Sequence, residues 1–331
     1  MDATPASRFT ESVGPHLIWG LDLSREGCRE LKNCGERSDG PLRWLHFNLA
    51  NHATRVWISE CIDIPKGARE LLLSQDTHQR AMVEGDTVAC VLHDYERDFE
   101  TADTARIGAL RIAITPKLVV TARQHPLRIA DIIRDHLEHD DGIDTPSAVL
   151  DLLVSAIVED LSSTARALTS AVQSAEDAIL AGRGSPESRE LTNIRRRLAQ
   201  LHRMLSGMRK LFIRLDEDPD LPQGFAPVIE NLVQRLEELD TDVSAAQGEI
   251  KLLRDELDLQ ATNRTNQNLY TLSIITALLM PATLITGIFG MNTGGMPWHD
   301  TGAGTIVATL IAGGTAALTY LILKRTGFIQ R

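Results

Sequence analysis

Small and polar residues form a stripe along one long uncharged segment of the chain. Between Thr265 and Trp298 the sequence has no Asp, Glu, Lys or Arg. Steps of three or four residues bring the following set onto one face of a helix: Asn266, Leu269, Ser273, Thr276, Met280, Thr283, Gly287 and Gly290. Such a face can line an aqueous path. Threonines in membrane helices also bond their own backbone, however, and small residues also mark helix contacts. The spacing alone leaves both interpretations open.

Two uncharged segments are long enough to cross a bilayer, Thr265–Trp298 and Thr301–Leu323. Each supplies the roughly 20 apolar residues that a helix needs to cross ~30 Å of hydrocarbon. Lys324 and Arg325 follow the second segment, whereas the connecting loop 292–303 has no Lys or Arg. The positive-inside rule therefore predicts that both termini are cytoplasmic and that the loop lies outside.

A heptad pattern precedes the first membrane segment. Its apolar residues alternate at steps of three and four: Ile229, Leu232, Leu236, Leu239, Val243, Ala246, Ile250, Leu253 and Leu257. No proline occurs between Pro227 and Pro281. We therefore predict one stalk helix from Pro227 to about Met291, roughly 95 Å long, which packs lengthwise on partners and continues into the membrane.

The first 145 residues have a mixed α/β pattern. Apolar runs rich in β-forming residues predict strands at Leu17–Leu23, Trp44–Leu49, Val88–Tyr95, Ile107–Ile114 and Leu118–Thr121, and residues 115–117 should join the last two as a hairpin. Helices are predicted at Arg69–Ala81 and Arg128–His139, followed by an antiparallel pair at 147–181 and 187–215.

These elements predict six consecutive parts. They are an α/β domain (1–145), long helices with the stalk (146–264), a first membrane helix (265–291), an outer loop (292–303), a second membrane helix (304–324) and a basic tail (325–331).

Composition and motifs exclude several classes of function. The formal net charge is −11, and no basic stripe with interleaved aromatic residues indicates nucleic-acid binding. No nucleophile motif, glycine-rich phosphate loop or HExxH zinc motif occurs, so we expect neither an enzyme nor a permanently bound cofactor. The four cysteines form no CxxC pair, which favours free thiols in the cytosol.

A short motif stands where the first membrane helix should meet the outer loop. Gly290-Met291-Asn292, with Met280-Pro281 inside the span and Met296-Pro297 after it, resembles the Gly-Met-Asn signature of the CorA superfamily of metal-ion transporters. The resemblance covers the whole architecture, while close matching is confined to roughly residues 265–300.

Within that superfamily, the loop 293–297 resembles the ZntB branch of zinc transporters. Trp44–His46 and Val119–Arg123 resemble it more loosely. Many ZntB-like proteins carry Ile or Val where this chain has Met291. Transport of magnesium, or of cobalt or nickel, therefore stays open beside zinc.

The resemblance implies a homopentameric funnel in the inner (plasma) membrane of a bacterium, with Asn292 from each subunit forming a ring at the outer mouth. Amide oxygens can accept hydrogen bonds from the tightly held water of a divalent ion. Gly290 would let the helix end turn. Family pore positions correspond to Asn266, Leu272, Met280, Thr283 and Gly287; of these, Leu272 lies beside the stripe, and Leu272 and Met280 would form apolar constrictions.

Two further groups are candidates for binding cations. Asp300 and His299 in the outer loop would attract cations to the entrance, unless they are simply solvated. His136, His139 and Asp140 could hold a regulatory metal or form a solvated helix end. A membrane-anchored coiled-coil scaffold, or a metal sensor without transport, remains the alternative of another class.

Overall fold

The N-terminal part of the chain contains a mixed seven-stranded sheet. The computed structural model describes residues 17–34, 36, 40–97, 106–129, 132–133, 136–137, 143–181, 188–291 and 303–326. The strands are β1 Leu17–Ser24, β2 Gly27–Glu30, β3 Leu42–Asn48, β4 Arg80–Glu84, β5 Thr87–Tyr95, β6 Ile107–Ile114 and β7 Leu118–Arg123. Their order is β2-β1-β3-β7-β6-β5-β4. The pair β3–β7 is parallel, and all other neighbouring pairs are antiparallel.

The five predicted strands are confirmed as β1, β3, β5, β6 and β7. The predicted hairpin is confirmed too, since Thr115 N donates to Leu118 O at 2.8 Å and Leu118 N donates to Thr115 Oγ1 at 2.9 Å. Strands β2 and β4 were not predicted. They are the two edges of the sheet, are only four and five residues long and have no fully buried residue, so neither contains a long apolar run.

Helices α1 His52–Glu60 and α2 Lys66–Leu73 pack on one face of the sheet. The apolar cluster beneath them includes Phe47, Ile58, Leu72 and Val120, all with no exposed surface. The prediction of one helix over 69–81 is wrong beyond Leu73, because Arg80 and Ala81 belong to β4. Helix α1 was not predicted.

Side chains around Ser74 explain why α2 ends early. Ser74 Oγ accepts from Asp76 N at 3.1 Å, and Asp76 Oδ1 accepts from His78 N at 3.0 Å. Such local bonds compete with a continuing helix. Arg111 of β6, only 2% exposed, donates Nε and Nη2 to Ser74 O at 3.2 and 3.0 Å. Its cation thereby lies at the helix end where the backbone dipole favours positive charge.

Two substitutions of Arg111 should show how much of its contribution to stability comes from filling space and how much from its hydrogen bonds. Arg111→Ala should lower the free energy of unfolding by about 3 kcal/mol, because it leaves a cavity and an unsatisfied carbonyl. Arg111→Met should cost clearly less, since it fills most of the space without burying a charge. Urea unfolding of the detergent-solubilised protein, followed by tryptophan fluorescence, measures both. Equal midpoints for wild type and Arg111→Ala would contradict this role.

Strands β3 and β7 share a buried polar network. Trp44 Nε1 donates to Thr121 Oγ1 at 2.9 Å, and His46 Nδ1 lies 2.8 Å from the same oxygen. Arg123 Nε donates to His46 Nε2 at 3.1 Å, so the ring is neutral with its proton on Nδ1. Burial, and then the charge of Arg123, lowers the pKa of His46 to about 3. The residues that resemble ZntB in these strands therefore hold the sheet together.

Four long helices follow, α3 Pro146–Leu180, α4 Ser188–Asp216, α5 Ala226–Gly290 and α6 Ala303–Arg325. Their bounds lie close to the predicted ones. Helix α3 begins after Thr145, whose Oγ1 accepts from Ala148 N at 3.3 Å. In the segment predicted helical at 128–139, Arg128 is not helical, whereas residues 129, 132–133 and 136–137 are.

The heptad residues of α5 pack within their own chain. Ile229 and Leu236 have no exposed surface, and Ile250 is 2% exposed. Arg235 Nη1 donates to Ser155 Oγ of α3 at 2.7 Å, and Asp240 Oδ1 lies 2.6 Å from His202 Nδ1 of α4. The predicted partners of this seam are therefore α3 and α4. The seam therefore finds its partners within one chain and gives no argument for an oligomer.

The chain divides into two compact units, Met1–Leu252 and Leu253–Arg331. The second contains the remainder of α5 and all of α6, and both helices are long and apolar enough to cross a membrane. After Leu253, every described residue except Ala312 is exposed or half-buried. The finer domain boundaries given above stay predictions.

Candidate functional site

The predicted stripe faces away from the rest of its chain. All eight of its residues, from Asn266 to Gly290, are exposed. Leu269 is 56% and Met280 65% exposed. Residues on the other side of the helix, such as Ile274, Leu278 and Ile285, are half-buried. One face of this apolar segment is thus partly covered by its own chain, and the other is available to something else.

A groove of about 780 Å³ runs along the exposed face. Five predicted pore residues line it: Thr276, Met280, Thr283, Gly287 and Met291. A Cβ at Gly287 or Gly290 would meet no atom of this chain within 4 Å. The chain's own packing therefore does not require glycine at either position. Glycine would be required there only if another molecule packed closely against the helix.

The hydroxyl groups of the stripe have a defined orientation. Thr276 Oγ1 donates to Leu272 O at 2.8 Å, and Thr283 Oγ1 donates to Leu279 O at 2.9 Å. Ser273 Oγ donates to Leu269 O at 2.8 Å. The bonding to the helix's own backbone considered above is thus present. Since each hydroxyl proton is used in this way, the oxygen lone pairs remain to accept hydrogen bonds from water or to contact a cation.

The electrostatics of the face also favour cations. The segment from Asn266 to Met291 contains no Asp, Glu, Lys, Arg or His. Helix α5 ends at Gly290, and the carbonyl groups of its last turn carry partial negative charge at that end. The exposed face of α5 can therefore form weak contacts with a hydrated cation without coordinating the ion tightly.

Three predicted pore residues are exposed on α5 but do not line the groove: Asn266, Leu272 and Gly290. Asn292, His299 and Asp300 fall outside the described residues, as do His139 and Asp140. His136 lies in the N-terminal unit, where its Nδ1 is 3.0 Å from Ile132 O. The described residues contain no group of three or more His, Cys, Asp or Glu side chains arranged for a metal, and the regulatory site stays a prediction.

Four residues that line the groove were not predicted: Ile275, Leu279, Leu284 and Ile288. All four are apolar, and each lies one residue before or after a residue of the stripe. Apolar residues are expected on every side of a membrane helix, so their type gives no signal of a site.

Comparison with known proteins identifies the family. The model of the family described as "CorA-like Mg2+ transporter protein" matches residues 39–325. The chain belongs to this CorA-like family. It is accordingly a divalent cation transporter and not an enzyme, and the resemblance predicted from Gly290-Met291-Asn292 is confirmed.

Relatives of this CorA-like chain include one protein named for divalent cations in general and others named for zinc. The "Divalent cation transporter CmaX" of Pseudomonas aeruginosa is 26% identical over 293 residues, which are 85% of this chain and 86% of CmaX. The "Zinc transport protein ZntB" of Pectobacterium atrosepticum is 25% identical over 283 residues, 82% of this chain and 85% of ZntB. The chain is therefore similar over most of its length to both.

Solved structures agree on the fold. Full-length CmaX superimposes with a TM-score of 0.79 at 24% identity, covering 94% of this chain and 98% of CmaX. The CorA magnesium transporter of Methanocaldococcus jannaschii gives a TM-score of 0.76 at 18% identity, with the same two coverages of 94% and 98%. The predicted succession of an α/β domain, long helices and two apolar helices is confirmed as a CorA-type fold.

Thiol labelling should distinguish the stripe from the opposite side of the helix. In proteoliposomes, a charged methanethiosulfonate should modify Thr283→Cys but not Leu278→Cys, because only a thiol in contact with water forms the reactive thiolate. Peptide mass spectrometry locates the label at each position, so the native cysteines can stay. Equal labelling of the two variants would contradict a water-lined stripe.

Proposed function

We propose that this CorA-like protein carries zinc across the inner membrane of a bacterium through a homopentameric pore, whose wall is the exposed face of α5 from each subunit. The single observation that carries the proposal is that face. Its residues are exposed in the chain itself, and its hydroxyl oxygens are left as acceptors. A plain membrane anchor, as in the scaffold alternative, needs neither.

The need for several copies follows from the number of membrane helices. The two helices of one chain cannot enclose an aqueous path, so several copies of α5 must surround it. Gly287 and Gly290 would permit close approach of neighbouring helices, since nothing in their own chain occupies the space beside them. The number five comes from the family resemblance. A monomer in native mass spectrometry from mild detergent would contradict the assembly.

The chemistry proposed along the path is weak contact with a hydrated ion. Rings of Thr276 and Thr283 oxygens would accept hydrogen bonds from its water, and Met280 would form an apolar constriction between them. Asn292 would do the same at the mouth, where Asp300 and His299 would concentrate cations. Conduction requires contacts of this kind, because an ion that is bound tightly leaves slowly.

Zinc and magnesium are each favoured by a specific observation. The ZntB relatives and the loop 293–297 favour zinc. The family description and Met291 favour magnesium. The orientation with cytoplasmic termini is supported by Lys324 and Arg325.

A flux panel tests the choice of ion. Proteoliposomes given equal concentrations of zinc, magnesium, cobalt or nickel should take up zinc faster than magnesium. Empty liposomes supply the background. Magnesium uptake that exceeds zinc uptake would replace zinc by the second candidate, and uptake of no divalent ion would contradict transport altogether.

Asn292→Ala should strongly reduce flux while leaving assembly intact. The substitution removes the amide acceptor and donors that would hold the first waters of the ion. Asn268→Ala is the matched control, because it makes the same chemical change at an exposed position two residues after Asn266, off the stripe, and should leave flux unchanged. Zinc and magnesium uptake, with assembly checked by size-exclusion chromatography, give the result.

Asn292→Asp tests the mouth in the opposite direction. Carboxylates crowded into a ring should bind cations more tightly and pass them at a different rate, and some should stay protonated because like charges repel. Wild-type uptake in a correctly assembled Asn292→Ala protein would remove Asn292 from the mechanism.

A further inference from the structure

Helices α4 and α5 carry opposite charges where they pack on each other. Within residues 191–215, α4 has seven Arg or Lys residues and no Asp or Glu. Within residues 226–250, α5 has six Asp or Glu residues and a single Arg. Some of these charges pair inside the chain, as Arg209 and Glu237 do. Others point away from the contact between the two helices.

The outer side of α4 carries a basic stripe. Its four residues recur at steps of seven, and all of them are exposed: Arg189, Arg196, Arg203 and Lys210. Residues seven apart stand nearly above one another on a helix, so the stripe is about 32 Å long. The buried residues Leu198, Leu205 and Phe212 lie on the other side of α4. In the described part of the chain, no residue of the stripe has an ion pair.

An acidic groove of about 620 Å³ lies between α3 and α5, and it is bounded also by His136 and Ile143. None of its described lining residues belongs to α4. Its other charged lining residues are four carboxylates and two guanidinium groups: Asp151, Glu159, Glu238, Asp242, Arg166 and Arg235. Arg235 donates to Ser155 Oγ at 2.7 Å, and among the described residues none of the four carboxylates has an ion pair. Two negative charges are therefore left in excess.

A contact inside the chain shows that the stripe and the groove lie at the same level. Arg209 Nη2 is 3.1 Å from Glu237 Oε1. Lys210 and Glu238, the next residues of each helix, are therefore level as well. In a ring of identical chains whose axis runs along these helices, equivalent residues of all chains lie at one height. Lys210 of one chain can then face Glu238 of the next.

We propose that the basic stripe of one subunit docks against the acidic groove of the next subunit, with Lys210 beside Glu238 and Asp242 of that neighbour. This inference rests on the homopentamer proposed above and names the surfaces of the N-terminal units that meet in it. A cyclic assembly of this kind needs two different and complementary surfaces on every chain, and the stripe and the groove are such a pair. Exposed ion pairs add little affinity each, so their effect is to select the neighbour and the register.

Zero-length cross-linking of the wild-type protein in detergent tests the contact. A carbodiimide joins a lysine amine to a carboxylate that touches it, and Lys210 is the only lysine of the stripe. Covalent dimers should contain Lys210 linked to a carboxylate of the groove, as located by peptide mass spectrometry. Lys210→Arg keeps the charge but removes the amine, so it should lower the yield of dimers about tenfold. Lys117→Arg, in the exposed turn between β6 and β7, is the control and should leave the yield unchanged. Dimers without a link at Lys210 would overturn the proposal.

Charge reversal tests the same contact without a cross-linker. Arg203→Glu combined with Lys210→Glu should lower the ratio of assembled to monomeric protein about tenfold, because like charges would then meet. Glu238→Lys combined with Asp242→Lys should have a similar effect. The variant with all four changes should return to within about twofold of the wild type, since the attraction is restored with its sign exchanged.

The control for charge reversal is Lys66→Glu combined with Lys117→Glu. It changes the net charge as much as the first pair does, at exposed positions outside the stripe and the groove, and should assemble like the wild type. Native mass spectrometry measures the assembled fraction of every variant. If the wild type assembles but the fourfold variant assembles no better than the two double variants, the interface is wrong and the proposed pore stands. A monomeric wild type would overturn both.

Discussion

The organisation of this protein depends on how α5 divides its surface between two environments. Up to Leu253 the helix buries an apolar seam against α3 and α4, and this burial supplies the hydrophobic free energy that holds it. Beyond Leu253 its own chain covers only part of it. The N-terminal part of this 65-residue helix is therefore held by its own chain, whereas the exposed apolar surface of its C-terminal part must be covered by lipid or by other helices.

The sequence predicts those helices and strands whose apolar residues recur at a regular spacing or form an uninterrupted segment. The buried strands β5, β6 and β7 and the heptads of α5 belong to this class. The edge strands β2 and β4 do not, because a half-exposed strand tolerates polar residues. The end of α2 depends on Arg111, which comes from a distant strand and has no local signature. The burial of the heptad seam within one chain is likewise a tertiary fact that periodicity cannot supply.

The candidate site is predictable to the extent that it depends on spacing. Steps of three and four brought Thr276, Met280, Thr283 and Gly287 together, and the groove contains all four. The apolar residues Ile275, Leu279, Leu284 and Ile288, which also line the groove, could not be singled out from sequence, because such residues occur all round a membrane helix. The direction of the hydroxyl protons could not be read from sequence, because it depends on side-chain rotamers. The family match adds the class of cargo but leaves the choice among divalent ions to the chemistry of the path.

The orientation of the threonine hydroxyls has a consequence for anions. Chloride or phosphate needs hydrogen-bond donors to replace its lost water. The hydroxyl groups of Thr276 and Thr283 already donate to backbone carbonyl oxygens, so they have no proton left to offer an anion. In the proposed pore, a wall of such residues would therefore discriminate by the sign of the charge before it discriminates by size. It would need no carboxylate for this, since the hydrogen bonds of the hydroxyl groups to their own helix set the polarity of the surface.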